Sequence, residues 1–214
     1  MKRFLSICLV FAMLTMLCGC FPTDSEKLVG SWKGEIDCTD IFNAFYMPYV
    51  GKSMGPYMAV SQLTINVELT FHKDGTYDFT TDQESKDKIM DIVWEAMRSG
   101  FERYLRDLMD FPEDMSFEDI IAMTGISFED LMVNAESTML ADELAYRIAR
   151  SGKYYAEDGK LYLSADKNAE IDQSVYVLYT QEKDALTLTE CIPSADAGQL
   201  AGIQYPIVFA KAGK

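Results

Sequence analysis

Histidine is almost missing from this chain: His72 is the single one among 214 residues. Enzymes that activate a hydroxyl nucleophile, and many metal sites, need an imidazole beside a second acidic or nucleophilic group. The one Gly-x-Ser-x-Gly stretch, residues 51–55, is followed by Pro56 and an expected loop, not by the helix that a nucleophile elbow requires. The sequence therefore predicts no enzyme activity, no metal site and no cofactor.

Positive charge is also scarce, with 19 lysine and arginine residues against 34 aspartate and glutamate residues, a formal net charge of −15. So acidic a surface repels the phosphates of nucleic acids, and nucleic acid is not expected as a partner. The same surface is unsuited to an anionic membrane unless a covalent group holds the protein there.

The longest apolar run, Phe4 to Leu17, has the features of an export signal. It follows Lys2-Arg3, is too short to cross a bilayer comfortably, and leads into Cys18-Gly19-Cys20. This pattern resembles the lipobox of bacterial lipoproteins, in which small residues precede an obligatory cysteine. The resemblance implies that residues 1–19 are removed and that Cys20 is diacylated, which would anchor the protein to the cell membrane at the cell surface. A plain secretory signal and an uncleaved anchor are the alternatives.

Only three cysteines remain if residues 1–19 are removed: Cys20, Cys38 and Cys191. If Cys20 carries lipid, the other two are left as a pair in a compartment that permits disulfide bonds. Each ends a predicted strand, and a closed barrel would bring its first strand near a late one. A disulfide between Cys38 and Cys191 and a pair of separate thiols are both open.

The clearest structural signal is an alternation of apolar and polar residues between Ser61 and Thr81. From position 63 to 71 every odd residue is apolar and every even residue is polar, which predicts a strand with one buried face. Lys73-Asp74-Gly75 supplies a turn, after which Tyr77 and Phe79 resume the alternation. The stretch therefore predicts a long β-hairpin whose apolar face packs on the rest of the chain.

The period changes to three or four residues between positions 82 and 151. Apolar residues with this spacing predict a long amphipathic helix over residues 83–109, which Phe111-Pro112 ends. Two serines that precede acidic residues, Ser116 and Ser127, predict the starts of further helices. Residues 82–151 are therefore expected to form a helical insertion between two β regions.

Alternation returns after the helices. Turns at residues 157–159 and 182–184 predict two more hairpins, and a last strand is expected around residues 205–209. With a first strand at residues 30–38 the count is about eight strands, the number at which a small barrel closes.

The predicted fold is therefore mainly β with an α insertion. An eight-stranded antiparallel barrel is expected over residues 28–214, with the helical insertion 82–151 between its third and fourth strands. Residues 20–27, which include Pro22, are expected to form a tether that reaches on the order of 25 Å and keeps the folded body close to the membrane.

Two motifs resemble the bacterial lipocalin-like lipoproteins, a family of membrane-anchored proteins. They are Gly30-Ser31-Trp32 in the first strand and Phe-His-Lys-Asp-Gly-Thr-Tyr at residues 71–77. The resemblance implies a lipocalin-like barrel in the cell envelope. In the wider lipocalin group the early tryptophan plugs the closed end of the barrel and a late arginine covers it. The resemblance assigns the plug to Trp32 and, because no arginine follows Arg150, its cover to Lys211.

A binding module for a small apolar or aromatic ligand is the first functional hypothesis. The ligand would enter the barrel mouth beneath an aromatic segment, expected as a short helix over residues 41–46 followed by a loop to residue 58. The candidate lid residues in this segment are Phe42, Phe45, Tyr46, Tyr49 and Tyr57. The competing interpretation is that these aromatic side chains only fill the barrel and its rims.

An envelope interaction or adaptor protein is the alternative hypothesis. Methionine suits adaptable docking surfaces, and the helical insertion carries methionines that would offer such a face to another envelope protein. They are Met90, Met97, Met109, Met115, Met123, Met132 and Met139. The competing interpretation is that they pack in the core, and complete burial of this face would count against docking.

Overall fold

The structure is a computed structural model that describes residues 22–50, 52–112, 114–125, 137–164, 166–193 and 203–213, without the side chains of residues 45, 47–50 and 137–142. The signal sequence expected at residues 1–19 and the lipid expected on Cys20 lie outside the described residues.

Eight antiparallel strands close into a single barrel, each paired with the next in the chain and β8 paired with β1. The prediction of a closed eight-stranded antiparallel barrel is confirmed. The strands are β1 (Gly30–Asp37), β2 (Thr64–Phe71), β3 (Thr76–Thr81), β4 (Arg150–Glu157), β5 (Lys160–Leu163), β6 (Tyr176–Glu182), β7 (Ala185–Ile192) and β8 (Ile207–Lys211).

Helices occupy several of the connections. The described ones are α1 (Asp24–Leu28), α2 (Thr39–Val50), α3 (Gly55–Met58), α4 (Gln83–Met109), α5 (Phe117–Thr124) and α6 (Ser137–Ile148). In chain order, α4, α5 and α6 stand between β3 and β4. None of the helices in the described part of the chain is long and apolar enough to cross a membrane.

The β2–β3 hairpin forms as its alternation predicts. Ile65, Val67 and Leu69 are buried on the inner face of β2, while the residues between them face outward. Gly75 turns the chain with a φ of +81°, a conformation that strains any residue with a side chain. Asp74 supports the turn, because its carboxylate accepts hydrogen bonds from the amide and the hydroxyl of Thr76.

The inward-facing side chains fill the described interior of the barrel. Aromatic rings meet there: the centroids of Phe71 and Tyr154 lie 4.6 Å apart, and those of Phe79 and Phe209 lie 6.5 Å apart. Such contacts leave little room between the rings. Each of the following exposes at most 2% of its surface: Trp32, Ile65, Leu69, Phe71, Tyr77, Phe79, Leu161, Leu186, Leu188, Ile207 and Phe209.

The two ends of the barrel differ, because connections between consecutive antiparallel strands alternate between the ends. One end has three short turns, at residues 72–75, 158–159 and 183–184, and is called here the hairpin end. The other end has the long connections and carries α2 to α6; it is called the helical end. Its connections are residues 38–63, 82–149, 164–175 and 193–206.

Two expectations about local structure are wrong. The aromatic segment after β1 is helical to Val50, beyond the expected residues 41–46, and a second helix, α3, occupies the last four residues of the expected loop. Phe42 and Tyr46 are four residues apart and stack with their centroids at 5.0 Å, so their spacing is that of one helical turn. The expected tether is also partly ordered, because α1 begins at Asp24.

Candidate functional sites at the two ends of the barrel

The helix α1 at the hairpin end is short but fully capped. Thr23 accepts a hydrogen bond from the amide of Glu26 at 3.2 Å, and the Glu26 carboxylate accepts one from the amide of Thr23 at 2.7 Å. This reciprocal capping box satisfies amide groups that a helix start leaves without partners. It lets five residues form a helix at this point in the chain.

Hydrogen bonds join α1 to β4 and to the turn that follows it. Ser25 Oγ accepts a hydrogen bond from the amide of Ala156 at 2.8 Å, and Tyr154 donates its hydroxyl to the Ser25 carbonyl at 3.1 Å. The amide of Asp158 donates to the Asp24 carboxylate at 3.0 Å. Because these bonds converge on one hairpin, they fasten the helix to the β4–β5 corner of the barrel.

Trp32 and Lys211, the residues proposed as the plug and its cover, come together at this same end. The Lys211 ammonium lies 5.3 Å from the centroid of the Trp32 ring, within cation–π range. The ring is fully buried, and its Nε1 donates to the carbonyl of Leu28 at 2.8 Å. Leu28 is fully buried with it and was missed, although an apolar residue directly before the first strand is a readable signal.

The candidate lid residues separate into two groups at the helical end. Phe42 and Tyr46 are buried together on α2. Tyr57, on α3, instead packs on α4: its hydroxyl donates to the Asp107 carboxylate at 2.7 Å, and this bond raises the pKa of Tyr57. The side chains of Phe45 and Tyr49 lie outside the described part of the structure.

Two tyrosine hydroxyls at the helical end are buried among the described residues without a hydrogen-bond partner there. They belong to Tyr46 and to Tyr205, which precedes β8. Burial raises the pKa of Tyr46 to about 12 and also raises the pKa of Tyr205. An unsatisfied buried hydroxyl costs about 1–3 kcal/mol, so both oxygens would gain from a polar atom brought by another molecule.

Cys38 and Cys191 also lie at the helical end, and no disulfide joins them in the structure. Cys38 is fully buried, and this burial raises the pKa of its thiol to about 12. Burial raises the pKa of Cys191 as well. Both thiols are therefore protonated at neutral pH, which makes them poor nucleophiles.

The methionine face of the helices is divided between core and surface. Met97 is buried and Met90 and Met115 are half-buried, whereas Met109 and Met123 are exposed. Met132 and the side chain of Met139 lie outside the described residues. The buried and half-buried methionines therefore fit core packing, whereas the two exposed ones fit an accessible docking surface.

Negative charge is concentrated in the helical connection. Residues 82–149 carry 17 acidic and 6 basic residues, a net charge of −11 out of −15 for the whole chain. Some of these acids pair locally, as Glu102 does with Arg106 at 2.6 Å and Glu118 with Arg98 at 2.8 Å. Among the described side chains of this connection, ten acidic ones are exposed to solvent.

His72 takes part in a surface network on the barrel wall. Its Nε2 lies 2.8 Å from the Asp78 carboxylate, whose other oxygen accepts the Ser151 hydroxyl at 2.6 Å. In a catalytic triad the imidazole contacts the hydroxyl, whereas here both groups bond to the carboxylate. This network therefore lacks the geometry of a nucleophilic site. Within the described residues, no group of three His, Cys, Asp or Glu side chains is arranged to hold a metal ion.

A row of tyrosines crosses the outer wall of the barrel on β4, β5 and β6. The ring centroids of Tyr155 and Tyr162 are 5.9 Å apart, and those of Tyr162 and Tyr176 are 5.7 Å apart. Lys160 Nζ lies 5.0 Å from the centroid of the Tyr176 ring. Sequence reasoning missed this row, which is called here the tyrosine wall, because it depends on the register of three strands.

No protein-family model, curated protein sequence or solved structure matches the chain. The functional interpretation of the two ends therefore rests on their geometry and charge.

Proposed function

We propose that this chain is a lipid-anchored envelope protein of the lipocalin-like type, in which the barrel is a packed scaffold and the helical end binds another envelope protein. The packed interior is the observation that carries the proposal. Trp32, Phe71 and Phe209 expose at most 1% of their surface, so no ligand fits among them. A binding surface is therefore expected on the outside of the barrel.

The partner is expected to be a basic protein with an apolar contact surface. Large apolar side chains are exposed on the helices, among them Leu108 and Met109 on α4, Met123 on α5 and Tyr146 on α6. They lie in a connection with a net charge of −11. Charge of one sign steers a partner of the opposite sign, and exposed apolar side chains supply contact area once it arrives.

Anchoring is proposed from the lipobox resemblance at Cys20 and from the position of the first described helix, α1, which begins four residues later. Cys20→Ala is expected to abolish the mass added by the lipid and to move the protein from the membrane fraction to the soluble exported fraction. Mass spectrometry and fractionation of cells measure both effects. Membrane retention of Cys20→Ala without the mass change would contradict a lipid on this residue.

Docking at the helical end is tested by photo-crosslinking in cells. A photoreactive amino acid is placed at Tyr146, which exposes 77% of its surface, or at Met123, with Val208 on the barrel wall as a control that exposes 58%. We expect both helical positions to crosslink the same basic protein, and the yield to fall as salt is raised. Equal crosslinking at Val208, or an acidic partner, would contradict the proposal.

A small-ligand site at the mouth of the barrel is the second candidate function. The unsatisfied hydroxyls of Tyr46 and Tyr205 favour it, because an aromatic ligand with an acceptor oxygen would bond them. In the ligand-free protein the Tyr46 hydroxyl is buried without a partner in the described part of the chain, so Tyr46→Phe should raise the free energy of unfolding of the protein by about 1 kcal/mol. Native mass spectrometry of protein from cells should show a bound mass that Tyr46→Phe loses. Two results together would exclude this site: Tyr46→Phe is less stable than the parent protein, and the parent protein carries no bound mass.

A further inference from the structure

The tether leaves little freedom between a lipid on Cys20 and the folded body. The helix α1 is capped by Thr23, so that only Phe21 and Pro22 separate the cap from Cys20. Three residue steps span at most about 10 Å. A lipid on Cys20 therefore holds the start of α1 close to the lipid headgroups.

The same helix fixes where on the barrel the tether is attached. Ser25 binds Ala156, and Asp24 binds the amide of Asp158, so the start of α1 sits at the β4–β5 corner of the hairpin end. A body tethered at one corner leans most easily toward the wall beside that corner. Here this wall is the outer face of β4, β5 and β6.

That outer face carries the tyrosine wall. Tyr155 exposes 39% of its surface although it is a large aromatic residue. A tyrosine ring combines an apolar body with a polar hydroxyl, the combination that is enriched where proteins meet lipid headgroups. Lys160, beside Tyr176, adds a long aliphatic stem with a cationic end that reaches toward anionic groups.

The distribution of charge favours the same orientation. A lysine lies in or directly beside each short turn of the hairpin end: Lys73 and Lys183 lie within their turns, and Lys160 follows the turn at residues 158–159. The opposite end carries the net −11 of residues 82–149. An eight-residue strand spans roughly 25 Å, about three Debye lengths at physiological salt, so an anionic membrane repels the helical end only if that end approaches it.

We propose that the hairpin end and the tyrosine wall (Tyr155, Tyr162 and Tyr176) lie against the lipid headgroups, so that the helical end points away from the membrane. The inference rests on the anchoring through Cys20 that is proposed above. It adds a second contact between the protein and the lipid surface, and it places the proposed partner site on the distal side.

Fluorescence quenching on vesicles tests this orientation. The chain from Cys20 onward, which contains every described residue, is coupled through the Cys20 thiol to a maleimide lipid, with Cys191→Ser to remove the competing half-buried thiol. The vesicles contain phosphatidylcholine, phosphatidylglycerol and a lipid with a nitroxide headgroup. A fluorescent amino acid is introduced at one position at a time: Tyr155, Val208 or Tyr146.

We expect quenching at position 155 to be at least three-fold stronger than at position 208, and no quenching at position 146. Val208 is the matched control, because it is an exposed wall residue on β8, on the other side of the barrel from β5. Equal quenching at positions 155 and 208 would overturn the tyrosine-wall contact. Strongest quenching at position 146 would overturn the orientation itself.

Two features keep the test decisive. If the fluorophore at position 155 prevents folding, the exposed neighbouring position Lys153 on the same wall replaces it, with the same expected result. Because the lipid is attached chemically, the quenching result does not depend on whether cells acylate Cys20. A missing lipid in cells contradicts the proposed function, whereas equal quenching on vesicles contradicts the orientation.

Discussion

The hairpin end and the helical end close the same barrel by different physical means. At the hairpin end a helix of five residues is held by hydrogen bonds from Ser25 and Asp24 to the backbone of the β4–β5 hairpin. At the helical end a helix of 27 residues is held by the burial of apolar side chains such as Val93 and Phe101. Directional bonds fix a position, whereas apolar burial tolerates change in the exposed face.

Under the proposed function, this difference places attachment at one end of the barrel and recognition at the other. The hairpin end has short turns with lysines in or directly beside them, and it binds α1, which follows the proposed anchor in the chain. The helical end has the long connections, in which apolar side chains and a large negative charge accumulate. Long connections carry recognition surfaces more readily, because they change without disturbing the strands that they join.

The two tryptophans give the sharpest contrast between the ends. Trp32→Ala removes a fully buried ring at the hairpin end, and we expect it to cost about 3–5 kcal/mol in the free energy of unfolding. Trp94→Ala on α4 removes a ring that exposes 37% of its surface, and about 1 kcal/mol is expected. Chemical denaturation measures both values. Similar losses of stability in the two variants would contradict the contrast between a buried ring at the hairpin end and a partly exposed ring at the helical end.

A smaller effect is expected where α3 approaches α4 at the helical end. A Cβ atom on Gly100 would lie 2.5 Å from the Tyr57 carbonyl oxygen, so Gly100→Val should push α3 away at a cost of about 1–3 kcal/mol. Hydrogen exchange should become faster at Tyr57 and Met58. Ser99→Ala, one residue earlier on α4, is the control and should change stability by less than about 0.5 kcal/mol. Unchanged hydrogen exchange at Tyr57 and Met58 in Gly100→Val would show that α3 accommodates the larger side chain without losing its packing on α4.

The attachment of α1 is expected to depend on one hydroxyl. Ser25→Ala leaves the Ala156 amide without its acceptor and should cost about 1 kcal/mol, with faster hydrogen exchange at that amide. Ser31→Ala is the matched control: the hydroxyl of Ser31 pairs with that of Thr70, so this variant should leave the exchange of Ala156 unchanged. Identical exchange of Ala156 in both variants would mean that α1 is held by other contacts.

The smallest effect is expected on the wall between the two ends and depends on pH. The hydrogen bond from Ser151, followed by the one from His72, lowers the pKa of Asp78, and Lys167 lies 3.6 Å away. A lowered folded-state pKa contributes stability above the unfolded value near 3.8 and loses it as pH falls. Asp78→Asn should therefore cost about 1 kcal/mol at pH 7 and less below pH 4.

Urea titrations at several pH values measure the cost of Asp78→Asn. Asp91→Asn on the exposed face of α4 is the control for the loss of one negative charge, with a change within about 0.5 kcal/mol at pH 7. A cost that stays constant from pH 3 to pH 7 would show that the charge of Asp78 contributes nothing to the wall.

Much of the barrel was predictable because its signals are local. The alternation in β2 follows from the pleat of a single strand, and the turn at Gly75 from the conformation of a single residue. The tyrosine wall was not predictable, since Tyr155 meets Tyr162 only through the register of β4 and β5. The helix over residues 39–50 was underestimated, because its aromatic and proline content is equally typical of a loop.

The order of the residues by itself determined the two periodicities, the excess of acid between positions 82 and 149, and which side of each clear strand is apolar. These properties depend on near neighbours and on composition. Only the tertiary structure decided that α1 is bonded to the β4–β5 corner, that the described interior is closed by its own side chains, and that Trp32 meets Lys211. Each of these results depends on contacts between segments far apart in the chain, whose distances are set by strand register and side-chain packing.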